Sequence, residues 1–239
     1  MNSNLYLVST PIGNLSDMTF RAVEILKSVD LIAAEDTRNS GFLLKHFGIE
    51  TQMTSYHDHN EQSKSEDLIS MLKAGKSIAV ITDAGTPGIS DPAQILVEKA
   101  IANNIRVESI PGACAAISGL IVSGLPTDQF VFEGFLPHKK GRQTRLKLLA
   151  EEHRTIVFYE SPYRVRKLLE EIREFIGDRR VSASRELTKK FEETVRGTCS
   201  ELIEHFGKSE PRGEFVVTVE GISKKKLKRE SNGHQSAEA

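Results

Sequence analysis

The chain has 239 residues, a formal net charge of -1, 38% hydrophobic and 27% charged residues. That length allows one large or two small domains and buries about 70% of the unfolded surface, so no disulfide or metal framework is needed to hold a core. Ordinary usage excludes general disorder, and two cysteines, Cys114 and Cys199, exclude both a disulfide scaffold and a cysteine-rich zinc site.

Short β-rich runs alternate with helical patterns through the first half. Residues 4–9 (NLYLVS) read as a buried strand, and Ala22, Ile25, Leu26 and Val29 recur at helical spacing. A strand follows at 31–34, then a polar helix ending at 67–73 before Gly75, and a strongly apolar strand at 77–82 (SIAVIT). Asp91-Pro92 is expected to open the next helix as N-cap and first helical residue, with its body at 95–102. A strand at 106–110 and a small-residue helix at 112–122 complete this half. Such alternation predicts a mostly parallel sheet covered on both faces.

Turn chemistry and a composition shift at 125–128 (LPTD) mark an expected boundary, with domains at 1–125 and 126–222. In the second half, strands are expected at 130–135, 155–159, 181–184 and 214–220, and a basic helix at 141–150. Val165, Leu168, Leu169, Ile172 and Ile176 mark an amphipathic helix. Residues 223–239 are basic, then polar, and are expected to form a disordered tail.

No basic start followed by an apolar stretch reads as a signal peptide, and the longest uncharged segment, 109–127, is broken by Pro111, Gly112, Gly119, Gly124 and Pro126. The expectation is a cytoplasmic protein with no membrane span. Charge is uneven: 9 Lys and Arg face 14 Asp and Glu in residues 1–125, against 23 and 19 in residues 126–239. A basic half can attract a polyanion even when the whole chain is near neutral.

Three loops rich in Gly, Pro and small residues follow predicted strands: 10–15 (TPIGNL), 83–92 (DAGTPGISDP) and 111–116 (PGACAA). Ligands of open α/β sheets bind beyond the carboxyl ends of strands, and such loops let a ligand approach the backbone. Neither a phosphate-loop spacing, nor Gly-x-Gly-x-x-Gly, nor a Gly-x-Ser-x-Gly elbow is present, which disfavours ATP and NAD in their common folds. The 57–61 cluster (HDHNE) has metal-ligand residue types, but no distant third ligand stands out, and no metal is expected. Cys114, among small apolar residues and without a neighbouring base, reads as a structural thiol. Residues 138–147 (HKKGRQTRLK) hold five Lys and Arg and no acid, either a footprint for a phosphate backbone or a solvated helix face.

The motifs YLVSTPIGNL, AAEDTRNS, SYHDHNE, DAGTPGISDP, PGACAAISGL, FLP, ESPYR, RELTKKFEE and GEFVVTVEG occur in this order between about residues 4 and 221. Together they resemble the bacterial family of small-subunit ribosomal RNA methyltransferases I, within the tetrapyrrole methylase superfamily. The resemblance implies two α/β domains with S-adenosylmethionine in the cleft between them. It also implies a homodimer and 2'-O-methylation of a cytidine in the decoding region of 16S rRNA, with the small ribosomal subunit as the expected partner and the choice between naked RNA and assembled subunit left open. It further implies cofactor contacts at Pro11, Asp83, Ala84, Gly85, Thr86, Ile89, Cys114, Ala115 and Ala116, with Tyr159 and Glu186 from the second domain. The wider superfamily's Gly-x-Gly-x-Pro loop is replaced by Ala84-Gly85-Thr86-Pro87.

Methyl transfer to a ribose hydroxyl needs alignment at roughly 3–3.5 Å, and a positioned base adds about 10²–10⁴-fold. By motif position the candidates for that base are Glu35, Asp36, Glu186 and Lys190. Lys190 would have to lose its proton; otherwise it stabilises the developing alkoxide or binds phosphate. Arg38, His57, Asn60, Lys139, Lys140, Arg142 and Arg164 are the candidates for orienting RNA. Two other readings remain at this stage: a superfamily methyltransferase with a small-molecule or protein acceptor, and a non-catalytic RNA-binding module.

Overall fold

In the computed structural model, residues 4–208 and 210–222 are described. The expected tail at 223–239 lies outside them. The chain divides into two compact units, the first ending at Cys114 and the second beginning at Ala115.

In the first unit, strands β1 (Asn4–Val8), β2 (Leu31–Ala34), β3 (Met53–Ser55), β4 (Ile78–Ile81) and β5 (Arg106–Ile110) form one sheet in the order β3-β2-β4-β1-β5. Every pairing in it is parallel. Helices α1 (Phe20–Ser28), α2 (Thr37–His46), α3 (Glu61–Lys73) and α4 (Gln94–Ala102) make the crossovers. Strands buried on both faces need apolar side chains at every position. Leu31 and Ala33 of β2, with Ile78 and Val80 of β4, pack beside Leu68, Leu72 and Leu96 on one face. Ile32 and Ala34, with Ala79 and Ile81, pack beside Ala22, Leu26 and Leu44 on the other. A parallel sheet puts all its carboxyl ends on one edge, so the loops after β1, β2, β3, β4 and β5 share that edge.

The second unit holds α5 (Ala115–Ile121), β6 (Phe130–Phe135), α6 (Arg142–Leu149), β7 (Thr155–Glu160), α7 (Val165–Phe175), β8 (Arg180–Arg185), β9 (Glu193–Thr198), α8 (Cys199–Gly207) and β10 (Phe215–Val219). Its sheet runs β6-β7-β10-β8-β9. Only β6 and β7 pair in parallel; β7 with β10, β10 with β8, and β8 with β9 are antiparallel. The amphipathic stripe of α7 (Val165, Leu168, Leu169, Ile172) and Leu202 and Phe206 of α8 share one core with Ile156, Phe158 and Val217. Helix α5 packs here because Gly119 lies against Val216: a β-carbon on Gly119 would stand 2.5 Å from a Val216 methyl. The unit therefore begins ahead of the turn at 125–128.

Among the described residues, α2, β3, β9, α8 and a 3-10 turn at Leu15–Asp17 were not anticipated. β3 is three residues long, and β9 is a half-polar edge strand. The signal for α8 was present: Thr198 and Glu201 form a reciprocal capping box. The expected opening of α4 needs correction. The helix starts at Gln94, and its N-cap is Ala93, with no side-chain cap. Asp91 is half-buried in the preceding loop instead, next to Ser90 in the left-handed region at φ 66°.

Candidate functional site

The carboxyl edge of the first sheet is held together by its own loops. Thr10 and Gly85 exchange backbone hydrogen bonds of 2.8 and 3.1 Å, which clamps the loop after β1 to the loop after β4. Gly85 sits at φ 92°, and a β-carbon there would touch Ile12 at 3.4 Å. The Thr86 hydroxyl donates to the Ala113 carbonyl at 3.0 Å and stands 3.0 Å from the Ser9 hydroxyl. This ties the β4 loop to the β5 loop. Gly112 is demanded by that closeness, since a β-carbon would lie 2.8 Å from the Ser9 β-carbon. The backbone of three loops is thus gathered at one place, with glycine wherever a side chain would block the approach.

Acidic groups surround this point. Asp83 accepts from the Asp36 N–H at 3.2 Å and from the Asn39 carboxamide at 2.9 Å. Glu35 Oε2 accepts from the Asp83 N–H at 3.2 Å. Burial raises the Glu35 carboxyl above its ordinary value, and the charges of Asp83, Asp58 and Asp36 add to the rise, against the Asp83 hydrogen bond. Asp36 goes the other way. It caps α2 through the Arg38 N–H at 2.8 Å and pairs with the Arg38 guanidinium at 2.7 Å, which brings it down to about 2. Asp91 is pushed up to about 7, first by burial and then by the Glu35 charge. Two neighbouring carboxyls thus shift in opposite directions: the Arg38 pairing holds Asp36 down, whereas burial first and neighbouring charge second raise Glu35.

His57 and Asn60 follow β3 on the same edge. Asn60 Oδ1 accepts from the His57 N–H at 2.9 Å, and its amide nitrogen lies 3.3 Å from His57 Nε2 and from the Ser55 hydroxyl. Among the described residues no group of three His, Cys, Asp or Glu is arranged to hold a metal ion. The site's chemistry suits a small cationic molecule with hydrogen-bonding groups: carboxylates for the charge, and exposed loop backbone for the rest. S-adenosylmethionine, with a sulfonium and an ammonium, fits that description.

In the second unit, Tyr159 at the end of β7 accepts from the Ala116 N–H at 2.9 Å, so Ala115, Ala116 and Tyr159 come together. Phe132 and Phe135 pack on the tyrosine ring with centroids 5.0 and 5.4 Å away. Glu186 lies just past β8 at φ 49° and accepts from Lys189 at 3.0 Å. Gly213 leaves the room that Glu186 fills. Lys190 is exposed, its ammonium 5.6 Å from the Phe191 ring centroid.

Lys139 and Lys140 are exposed in the basic segment, as a phosphate contact requires. Arg142 is not available to RNA and must be moved out of that set. It is 3% exposed, bonded to Glu171 at 2.7 Å, to the Pro137 carbonyl at 3.3 Å and to Glu160 at 3.4 Å. Arg164 also pairs with Glu160, at 2.6 Å, and lies 2.9 Å from His138 Nδ1. Glu160 is wholly buried, so two guanidiniums neutralise it and tie the basic segment to the end of β7. Motif reading missed Glu160, Asp91, Asn39 and Ser40. Asp91 lies in the flagged 83–92 loop, Glu160 in the ESPYR motif, and Asn39 and Ser40 in the EDTRNS string after a strand, but none was singled out as a site residue.

Residues 4–203 match the family model described as tetrapyrrole (corrin/porphyrin) methylases. A protein of Synechocystis named ribosomal RNA small subunit methyltransferase I is 53% identical over 221 residues, which is 92% of this chain and 79% of that protein. Its Bacillus subtilis namesake is 47% identical over 227 residues, 95% of this chain and 78% of that protein. Among solved structures, diphthine synthase superposes with a TM-score of 0.70 at 14% identity, covering 91% of this chain and 89% of the other. A cobalt precorrin-4 methyltransferase superposes with a TM-score of 0.68 at 16% identity, covering 91% and 95%. These two likenesses are likenesses of fold.

Proposed function

We propose that this chain, which belongs to the tetrapyrrole methylase family and within it to the ribosomal RNA small subunit methyltransferase I group, methylates the ribose 2'-oxygen of a cytidine in the decoding region of 16S rRNA. The observation that carries the reading is the identity of about half of the aligned positions to such methyltransferases across 92% of the chain. Its acceptor is read as the small ribosomal subunit, its location as cytoplasmic and its assembly as a homodimer. The acceptor and the homodimer rest on the sequence resemblance, and the location on the sequence pattern. Among the described residues no helix is long and apolar enough to cross a membrane.

Asp83, Ala84, Gly85, Thr86 and Ile89 would hold S-adenosylmethionine, with Pro11, Cys114, Ala115, Ala116, Tyr159 and Glu186 as the remaining contacts. When bound, this group supplies an activated methyl on a positively charged sulfur. The carboxylates around the β4 loop favour that charge, and the loop backbone fixes the molecule's orientation. Glu35 is the residue best suited to take the 2'-hydroxyl proton, because burial and neighbouring charge hold its carboxyl above the usual range. Glu35 would hold the proton released from the 2'-hydroxyl when the methyl is transferred to that oxygen. Lys139 and Lys140 attract the phosphate backbone without reading sequence.

Glu35→Gln tests this assignment. The expected result is a turnover about 10²–10⁴-fold lower with S-adenosylmethionine affinity retained. Normal turnover in Glu35→Gln removes Glu35 as the base.

A further inference from the structure

Beside the gathered loops, the first unit carries a cavity of about 220 Å³ lined by Thr10, Pro11, Leu15, Asn39, Ser40 and Phe42, with Asp83 on its wall. Three features make it a built site. Ser40 is 3% exposed, yet its hydroxyl has no hydrogen-bond partner among the described residues. A buried hydroxyl without a partner is costly, so a ligand that bonds it gains that energy. Asn39 donates one amide hydrogen to Asp83, which fixes which end of the carboxamide is oxygen and leaves Oδ1 and the second N–H to a ligand. Phe42 is 77% exposed on the rim, an uncommon state for a phenylalanine.

We propose that this cavity receives the base of the acceptor nucleotide and that Asn39 and Ser40 select cytosine. The inference rests on the methyltransferase reading above and deepens it. A volume of about 220 Å³ equals roughly seven waters, room for one single-ring base. An aromatic face gives any base a stacking surface, which is sequence-tolerant. Selection then falls to the polar groups. Cytosine presents an amino donor next to a ring-nitrogen acceptor, and the Asn39 amide offers the matching oxygen and N–H. Uracil presents an oxygen and an N–H in those two places, so it meets like against like. Turning the amide over would set its oxygen against the Asp83 carboxylate. The Ser40 hydroxyl is then free to donate to the remaining carbonyl oxygen, which satisfies the orphaned group.

The test is methyl transfer from labelled S-adenosylmethionine by the full chain to small ribosomal subunits carrying cytidine or uridine at the modified position. Wild type is expected to prefer cytidine. Asn39→Ala is expected to lose roughly 5- to 150-fold in kcat/KM on cytidine, the range a bidentate side chain–base pair carries. Its preference over uridine should collapse, and cofactor affinity should be unchanged in Ser40→Ala, whose hydroxyl bonds none of the proposed cofactor contacts. Ser40→Ala, a mild change inside a helix, should lose activity in the same direction, and Phe42→Ala should slow both substrates alike. An unaltered cytidine preference in Asn39→Ala and Ser40→Ala overturns the inference and leaves the methyltransferase reading standing. A loss of S-adenosylmethionine affinity in Ser40→Ala also overturns it, by assigning the cavity to the cofactor. Absence of transfer by wild type to either subunit removes the methyltransferase reading itself, and the inference with it.

Discussion

Replacing Glu160 by glutamine removes one charge from the centre of the second unit. The carboxylate is fully buried and accepts from Arg164 at 2.6 Å, the Ser161 N–H at 2.9 Å and Arg142 at 3.4 Å. Breaking a buried pair by removing one partner costs about 3–5 kcal/mol. Two features reduce that figure here. Arg142 keeps Glu171 at 2.7 Å, and Arg164 is partly exposed and can turn to water. We therefore expect Glu160→Gln to cost about 2–3 kcal/mol, below the range for a fully orphaned charge. At about 2–4 °C per kcal/mol for a chain of this length, the melting transition should fall by about 4–12 °C. Scanning calorimetry on wild type, Glu160→Gln and the exposed control Lys139→Ala reads this directly, as a transition that moves in one variant only. A Glu160→Gln shift no larger than that of Lys139→Ala would refute the view that Glu160 anchors the basic segment.

Three further outcomes follow from the same geometry. Asp91 has a folded-state pKa of about 7 against an ordinary 3.8, so its contribution to stability is fully present below 3.8 and is lost as pH rises toward 7. Asp91→Asn should then gain on wild type between pH 4 and 7, reaching on the order of 1–3 kcal/mol in urea titrations at neutral pH; a difference that does not change with pH counts against a buried protonated carboxyl. Gly119→Ala forces a β-carbon to within 2.5 Å of Val216 and should lower the urea midpoint by an amount worth about 1–3 kcal/mol with an unchanged slope; a neutral result means that α5 does not pack tightly on β10. Lys139→Ala and Lys140→Ala should each weaken small-subunit binding uniformly across sequences and reduce the salt slope by about 1, with melting unchanged.

In the first sheet the central strands β2 and β4 were legible because they are apolar at every position. IAVI at 78–81, within the expected 77–82, and LIAA at the expected 31–34 admit no surface face. The second sheet is mixed, and its edge strand β9 (ETVRGT) is half polar, so local pattern carried little signal there. The Gly-rich loops were found because glycine and proline punctuate a chain visibly. Their purpose was not legible: only the fold reveals that Gly112 faces Ser9, or that Gly85 pairs with Thr10. Charge patterning misled at Arg142. A run of cations reads as one surface, but burial depends on partners far along the chain, here Glu160 and Glu171. The same reason hid Asp91, whose perturbation comes from burial and from Glu35, more than fifty residues away.

The most direct test of the central claim is to map the methyl group. Small ribosomal subunits from cells lacking this protein would be incubated with the full chain and labelled S-adenosylmethionine, and the modified nucleotide located and its methyl-bearing atom identified. The account predicts one labelled nucleotide, a decoding-region cytidine, with the methyl on its ribose 2'-oxygen. Label on a base atom, or spread over many nucleotides, would contradict it.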